Sequence, residues 1–291
     1  VYAYPGTPST EITEFIQNNP LAKERKLHST WCTNEKTAME AALGMSYAGK
    51  RALVCMKHVG MNVAADAFVN SAITGVNGGL VVLAADDPSM HSSQNEQDSR
   101  FYGKFAMLPI LEPSSQQEAY DMMGYAYTLS EKMKLPVLMR VVTRLAHSRA
   151  GVEVADIREE NQLKPDHERA HWVLLPGNAR KQYLDLVEKQ EELEESSSKS
   201  PYNYVEGLNP EYDYEFGVIA CGIGYNYVKE ADTDGCHIPV LKISQYPLPA
   251  EEIRTMAECC GHVLVVEDGQ PFVEEQVKAI LSSDYEIKGR L

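Results

Sequence analysis

Residues 30–62 read Thr30-Trp31-Cys32-Thr33-Asn34-Glu35-Lys36, then a helix-length stretch of small residues (Ala38, Ala41, Ala42, Gly44, Ser46, Ala48), then the apolar run Ala52 to Met56, then Lys57-His58-Val59-Gly60-Met61-Asn62. This is a strand, a carboxylate-bearing turn, a helix, a buried strand and a glycine-bearing turn. Small residues let the helix lie close on a sheet. Strands that alternate with helices in this way form an open parallel α/β sheet, whose ligands sit beyond the carboxyl ends of the strands. Glu35 stands at such an end and is the leading candidate for chemistry. The same carboxylate also suits the positive end of a helix dipole.

Working outward, Val1 to Tyr4 reads as a strand and Pro5-Gly6-Thr7-Pro8-Ser9-Thr10 as a turn dense in breakers, with Ser9 or Thr10 capping a helix to about Asn18. The Thr7 hydroxyl would face whatever lies above the strand, although an ordinary proline-rich turn has the same composition. Downstream, a helix from Val63 to Thr74 starts near Asn62, and Gly79 to Ala85 has the continuous apolar character of a buried parallel strand. The polar stretch from Asp86 to Arg100 follows, and breaks all periodicity. So long a polar run directly after a buried strand is a functional loop or a disordered one. Met107 to Leu111 and Leu135 to Val142 read as strands around a helix from Ser114 to Lys132. The expected fold is a doubly wound parallel sheet over residues 1–151.

Residues 152–213 read as a linker with one helix from Asn178 to Glu195, a flexible run Ser196 to Ser200 and an irregular stretch from Pro201. Residues 214–291 form a smaller α/β unit: a strand Phe216 to Cys221, the turn Gly222-Ile223-Gly224, and further strands at Val240 to Ile243 and His262 to Glu267.

Composition narrows the function classes. A length of 291 residues suits two domains. The net charge of −15 argues against a nucleic-acid partner, which needs clustered lysine and arginine. No apolar run approaches the roughly 20 residues of a membrane helix, and no signal peptide opens the chain. The six cysteines (Cys32, Cys55, Cys221, Cys236, Cys259, Cys260) include no Cys-x-x-Cys pair, which suits reduced thiols and a cytoplasmic setting. The chain starts at Val1 in what looks like a strand already under way, so it reads as a piece of something longer.

Two motifs mislead. His167-Glu168-Arg169-Ala170-His171 matches the zinc-peptidase pattern, but that chemistry needs both histidines on one face of a buried helix, and Pro165 and Pro176 flank this segment. No metal site is expected. Gly222-Ile223-Gly224 resembles half of a dinucleotide fingerprint, yet Tyr227 stands at the third glycine position and no acidic residue ends the next strand. A tight strand-to-helix turn accounts for it. The Gly-Asp-Gly and Asn-Asn pair that in thiamine enzymes holds magnesium and diphosphate is absent from this sequence.

Together, Tyr4-Pro5-Gly6-Thr7-Pro8-Ser9, Asn34-Glu35-Lys36, residues 56–62, the loop Ala84 to Asp98 and Glu267-Asp268-Gly269-Gln270-Pro271-Phe272-Val273-Glu274 closely resemble the alpha subunits of the indolepyruvate ferredoxin oxidoreductase family. The resemblance covers nearly the whole chain and implies a thiamine pyrimidine-binding domain, a linker and a transketolase C-terminal-like domain. It implies oxidative decarboxylation of aryl 2-oxoacids to acyl-coenzyme A with thiamine diphosphate and Mg2+, with electrons passing through iron-sulfur clusters to ferredoxin. By resemblance, Glu35 is the glutamate that hydrogen-bonds the aminopyrimidine and favours its imino form. Thr7, His58 and Gly60 also border the cofactor. Thr7, Arg100 and His91 face the substrate, Arg100 matching a carboxylate-binding arginine of the pyruvate enzymes. From its neighbours Glu96 and Asp98 alone, Arg100 suits a surface ion pair equally, and His58 and His91 suit structural roles. A diphosphate-binding domain and a cluster domain would lie on a further C-terminal part, and a beta subunit and a second alpha subunit would complete the enzyme. Pyruvate or branched-chain 2-oxoacids are the rival substrates, and a non-catalytic docking subunit is the rival role.

Overall fold

The computed structural model describes residues 1–168, 170–232 and 238–291. Cys236 and Arg169 lie outside the described residues. In chain order the first half contains β1 (Tyr2–Ala3), α1 (Thr10–Asn18), α2 (Pro20–Glu24), β2 (Thr30–Trp31), α3 (Glu35–Tyr47), β3 (Ala52–Lys57), α4 (His58–Thr74), β4 (Leu80–Asp86), α5 (Arg100–Phe105), β5 (Ile110–Leu111), α6 (Gln116–Met133), β6 (Val137–Val142) and α7 (Thr143–Ala146). The second half contains α8 (Pro176–Ser198), β7 (Tyr204–Glu206), β8 (Tyr214–Cys221), α9 (Gly224–Ala231), β9 (Val240–Ile243), β10 (Gln245–Tyr246), α10 (Ala250–Cys259), β11 (Cys260–Val266), α11 (Phe272–Ile280) and β12 (Glu286–Lys288).

Two sheets result, with strand orders β10-β5-β6-β4-β3-β1-β2 and β12-β11-β8-β9-β7. Both are parallel apart from one antiparallel edge pair each, β10 on β5 and β7 on β9. In the first sheet β1 lies between β2 and β3, so the chain moves one way from β1 to β2 and back the other way to β3. That reversal is the topological switch point, where adjoining loops diverge and leave a crevice. The sheet itself is held by apolar strands: every residue of β4 is buried, and Ala38, Met39, Ala42 and Leu43 of α3 pack beneath it with Met61, Ala64 and Phe68 of α4.

Several boundaries depart from the sequence reading for tertiary reasons. β3 runs straight into α4, so the glycine-bearing segment 58–62 is the first turn of a helix and not a loop before one. The serine run expected to be flexible is the end of α8: Ser197 is buried, and its hydroxyl donates to the carbonyls of Gln245 at 3.0 Å and Pro247 at 2.6 Å. The stretch read as irregular contributes β7 to the second sheet, and β10 crosses to close an edge of the first. Strands of two or three residues held by pairing alone carry no periodicity that a sequence could show.

Candidate active site

Three segments meet at the carboxyl ends of β1, β2 and β3. In the turn after β1, the Ser9 hydroxyl donates to the Gly6 carbonyl at 2.7 Å and the Gly6 N–H donates to the Thr10 hydroxyl at 2.8 Å. Both hydroxyls therefore close the turn, and neither caps α1 as the sequence suggests. Thr7 is left exposed at the apex. A Cβ on Gly6 would lie 3.1 Å from Lys57 Cβ, which seats this turn against the end of β3.

After β2, the Asn34 side chain accepts the Thr37 N–H at 2.8 Å and caps α3, so Glu35 begins the helix with its carboxylate at the positive end of the dipole. After β3, Gly60 turns its bare edge to that carboxylate. A Cβ there would stand 2.6 Å from Glu35 Cγ and 2.7 Å from Oε1, closer than real Cβ atoms come to other groups. Among the described residues no hydrogen bond or ion pair reaches the half-buried Glu35 side chain. His58 starts α4 and is fully buried, with Nε2 3.2 Å from the Asn95 carbonyl and a buried Nδ1 that has no partner. The structure thus joins Glu35 to Gly60, seats the Thr7 turn against Lys57, and places His58 two residues from Gly60 on the same helix.

The polar loop after β4 is ordered by carboxylates at its two ends. Asp87 accepts the N–H groups of His91 and Ser92 and the hydroxyls of Ser93 and Thr143. Burial alone would raise its pKa, but these four donors overcome that and push it well below the usual carboxylate range. His91 is exposed on this loop.

Arg100 is elsewhere. It lies in a cluster with Arg140, Asp86, Asp98, Glu112 and Glu267, none of whose side chains is more than 2% exposed. Its Nε donates to Asp98 Oδ1 at 2.9 Å, its Nη1 is 2.9 Å from Glu267 Oε2, and its Nη2 reaches the Gln270 carbonyl at 3.2 Å. Arg140 bonds Asp86 at 2.6 Å, Glu112, and the Asp268 carbonyl at 2.8 Å. The ion pair read for Arg100 is real, but it is buried between the two sheets and does not lie at the surface. Asp86, Asp87, Glu112 and Arg140 were given no role from sequence, and Asp98 was named there only as an acidic neighbour of Arg100. One signal was there to find: Leu138-Met139-Arg140-Val141-Val142 places a guanidinium inside a buried strand, where charge occurs only when paired.

The two misleading motifs resolve structurally. His167 is in irregular chain and His171 in a turn, its ring edge-on to Trp172, so the two histidines do not share a helix face. Gly222 has φ +48° and a Cβ there would lie 2.6 Å from Glu112 Cγ, while a Cβ on Gly224 would lie 2.8 Å from the Val266 carbonyl. Close packing requires both glycines.

A family model described as pyruvate flavodoxin/ferredoxin oxidoreductase, thiamine diP-bdg, matches residues 1–207. The chain belongs to this family. Curated relatives named indolepyruvate oxidoreductase subunit IorA are 45% identical over 96% of this chain in Archaeoglobus fulgidus and 43% identical over 95% in Thermococcus kodakarensis. The chain spans 45% and 43% of their lengths. A solved 2-oxoglutarate:ferredoxin oxidoreductase from Magnetococcus marinus shares the fold at TM-score 0.76 and 16% identity, over 99% of this chain and 58% of that one. A split-gene transketolase does so at TM-score 0.60 and 14% identity, over 99% of this chain and 80% of that one. The residues present fit the pyrimidine end of thiamine diphosphate: a carboxylate with no partner among the described residues and a glycine cradle beside it, at the point where the strand order reverses. Among the described residues no helix is long and apolar enough to cross a membrane.

Proposed function

We propose that this chain is the pyrimidine-binding front portion of an alpha subunit that oxidatively decarboxylates aryl 2-oxoacids such as indolepyruvate to acyl-coenzyme A, with electrons delivered to ferredoxin. The observation that carries the reading is the Glu35 carboxylate, lodged against Gly60 at the switch point and bonded to no other described residue. The identity of over 40% to IorA subunits supports the aryl substrate; a ketoisovalerate oxidoreductase subunit from Methanothermobacter marburgensis matches at 25%. In this reading residues 1–151 form the pyrimidine-binding domain, 152–213 the linker and 214–291 the transketolase C-terminal-like domain. Mg2+, the diphosphate site, the iron-sulfur clusters, the beta subunit and the second alpha subunit belong to the complete enzyme. The free thiols suit a reducing, cytoplasmic setting.

When bound, thiamine diphosphate supplies the nucleophilic carbon and the electron sink for decarboxylation. Glu35 holds the proton shared with the aminopyrimidine, and the dipole of α3 acts on the same carboxylate. Gly60 leaves the space that this carboxylate occupies. His58 and Thr7 border the cofactor, and Thr7 and His91 are the exposed groups available to the substrate.

The test uses the full-length subunit with its beta partner, thiamine diphosphate, Mg2+ and coenzyme A, following viologen reduction with indolepyruvate, phenylpyruvate and pyruvate. Glu35→Gln is expected to lower kcat about 10²- to 10⁴-fold with the aryl substrates, the range for a lost proton-transfer group. Full activity in the variant would make the chain a docking subunit, and activity with pyruvate alone would move it to the pyruvate enzymes.

A further inference from the structure

The buried charged cluster does more than join two sheets, because one of its members begins where the polar loop ends. Residues 87–99 leave β4 at Asp87 and enter α5 at Arg100. Asp98, the last acid of the loop, receives Arg100 Nε at 2.9 Å and the Gln270 N–H at 3.2 Å. Ser99 is held by Asp86, whose Oδ2 accepts its N–H at 2.9 Å. On the other side stands the turn after β11. Glu267 contributes its carboxylate to Arg100 and accepts the N–H groups of Val273 and Glu274 at the start of α11. Gly269, at φ +113°, brings the turn so close that a Cβ would lie 2.7 Å from Asp98 Oδ2 and 2.8 Å from Arg140 Nη2. The Arg100 guanidinium also lies 5.0 Å from the Phe272 ring centroid.

Among the described residues one hydrogen bond joins the loop to the strand-end site, between the Asn95 carbonyl and His58 Nε2 at 3.2 Å, two residues before Gly60. A path of contacts therefore runs from Glu35 and Gly60 through His58 and Asn95 to Asp98, Arg100 and Glu267. Arg100 has no exposed surface and faces two carboxylates at 2.9 Å or less, a third at 3.5 Å and two backbone carbonyls. Nη1 makes ion-pair contacts to Glu267 and Glu112 without a hydrogen bond, but the whole guanidinium is enclosed by these groups and reaches no solvent from which a substrate could approach.

We infer that Arg100 is a positioning residue, not a substrate contact: it clamps the 87–99 loop to the Glu267–Gln270 turn, and so sets where the loop rests against His58 beside the Glu35 site. The inference rests on the proposed function for its catalytic readout only. The clamp itself is read from the loop.

The test compares Arg100→Lys, which keeps the charge but loses the planar fork, with Glu267→Gln, which removes the partner in the second sheet and keeps an oxygen for capping α11. Both are made in the full-length subunit with its beta partner. Hydrogen exchange is followed at the Ser89, His91 and Ser92 amides, each bonded within the loop. Steady-state kinetics with indolepyruvate accompany it. Both variants are expected to raise exchange across the loop by about tenfold or more. Both should lower kcat by roughly ten- to a hundredfold with KM nearly unchanged, as for displaced catalytic geometry. A raised KM in Arg100→Lys with Glu267→Gln silent would restore the substrate-binding role and overturn the clamp. Unchanged exchange in both variants would overturn it too, as would an effect confined to Arg100→Lys. If Arg100→Lys does not fold, Glu267→Gln alone decides by the same exchange readout. If the wild-type enzyme turns over no 2-oxoacid, the proposed function fails while the exchange arm still judges the clamp.

Discussion

Gly60 sits in the first turn of a helix, where alanine would ordinarily be favoured by about 1 kcal/mol. Its Cβ would displace Glu35, whose side chain is half-buried and able to swing. Gly60→Ala should therefore leave thermal stability unchanged or slightly raised while sharply reducing activity, as read by unfolding and viologen assays on the same preparation. Loss of both together would mean that the glycine serves packing and not the carboxylate. At this scale the sequence was informative about the position of Glu35, because a carboxylate between a strand and a small-residue helix falls at a strand-end turn by pattern alone. It placed Gly60 beside the cofactor through the resemblance, but in a turn and not in a helix. Nothing in Lys57-His58-Val59-Gly60 says that the strand passes directly into the helix, and a glycine in such a place reads as a loop until the neighbour it accommodates is seen. Arg100 was legible as an ion pair from its acidic neighbours, but its burial was not, since Glu112 and Glu267 are distant in sequence.

At the level of elements, the loop after β4 depends on carboxylates that must be ionised. The Asp87 carboxyl is held well below its ordinary pKa by its four donors, so it contributes stability that is present above the unfolded value and lost as pH falls below it. The loop amides of His91 and Ser92 should accordingly lose exchange protection on acidification before the sheet does. Asp87→Asn should show the loosened state already at neutral pH, and protection unaffected in that variant would remove Asp87 as the anchor. Ser197 offers a second check. Removing its hydroxyl deletes its bonds to the Gln245 and Pro247 carbonyls; Gln245 keeps the Asn203 amide as a donor, so the loss falls chiefly on Pro247. Ser197→Ala should cost roughly 1–3 kcal/mol in urea unfolding. The sequence, read locally, made this helix end a flexible linker; polar residues look solvated until a partner surface is known.

Across the whole molecule, two guanidiniums and four carboxylates occupy the seam between the sheets. Removing one side of so buried a set leaves charge without compensation, and Arg140→Met is expected to destabilise the chain by about 3–5 kcal/mol, measured by denaturant unfolding. Burial alone would raise the Asp98 carboxyl, but Arg100 and Arg140 prevail and hold it at about 2. Its contribution is present above the unfolded value and lost as pH falls towards 2. Asp86 is shifted the other way, raised by burial despite Arg140. The seam thus combines acids of opposite tendency, and its balance was beyond any reading of local pattern.

β10 leaves the second half of the chain to complete the edge of the first sheet, pairing Gln245 with Leu111 and Tyr246 with Ile110. A polypeptide stopped anywhere before that strand would keep the strands around Glu35 but expose the backbone N–H and C=O groups of β5, and would strip the Tyr246 hydroxyl from Glu112. An unpaired strand recruits other strands. Truncations meant to isolate the cofactor half should therefore self-associate, whereas the intact chain carries its own edge protector.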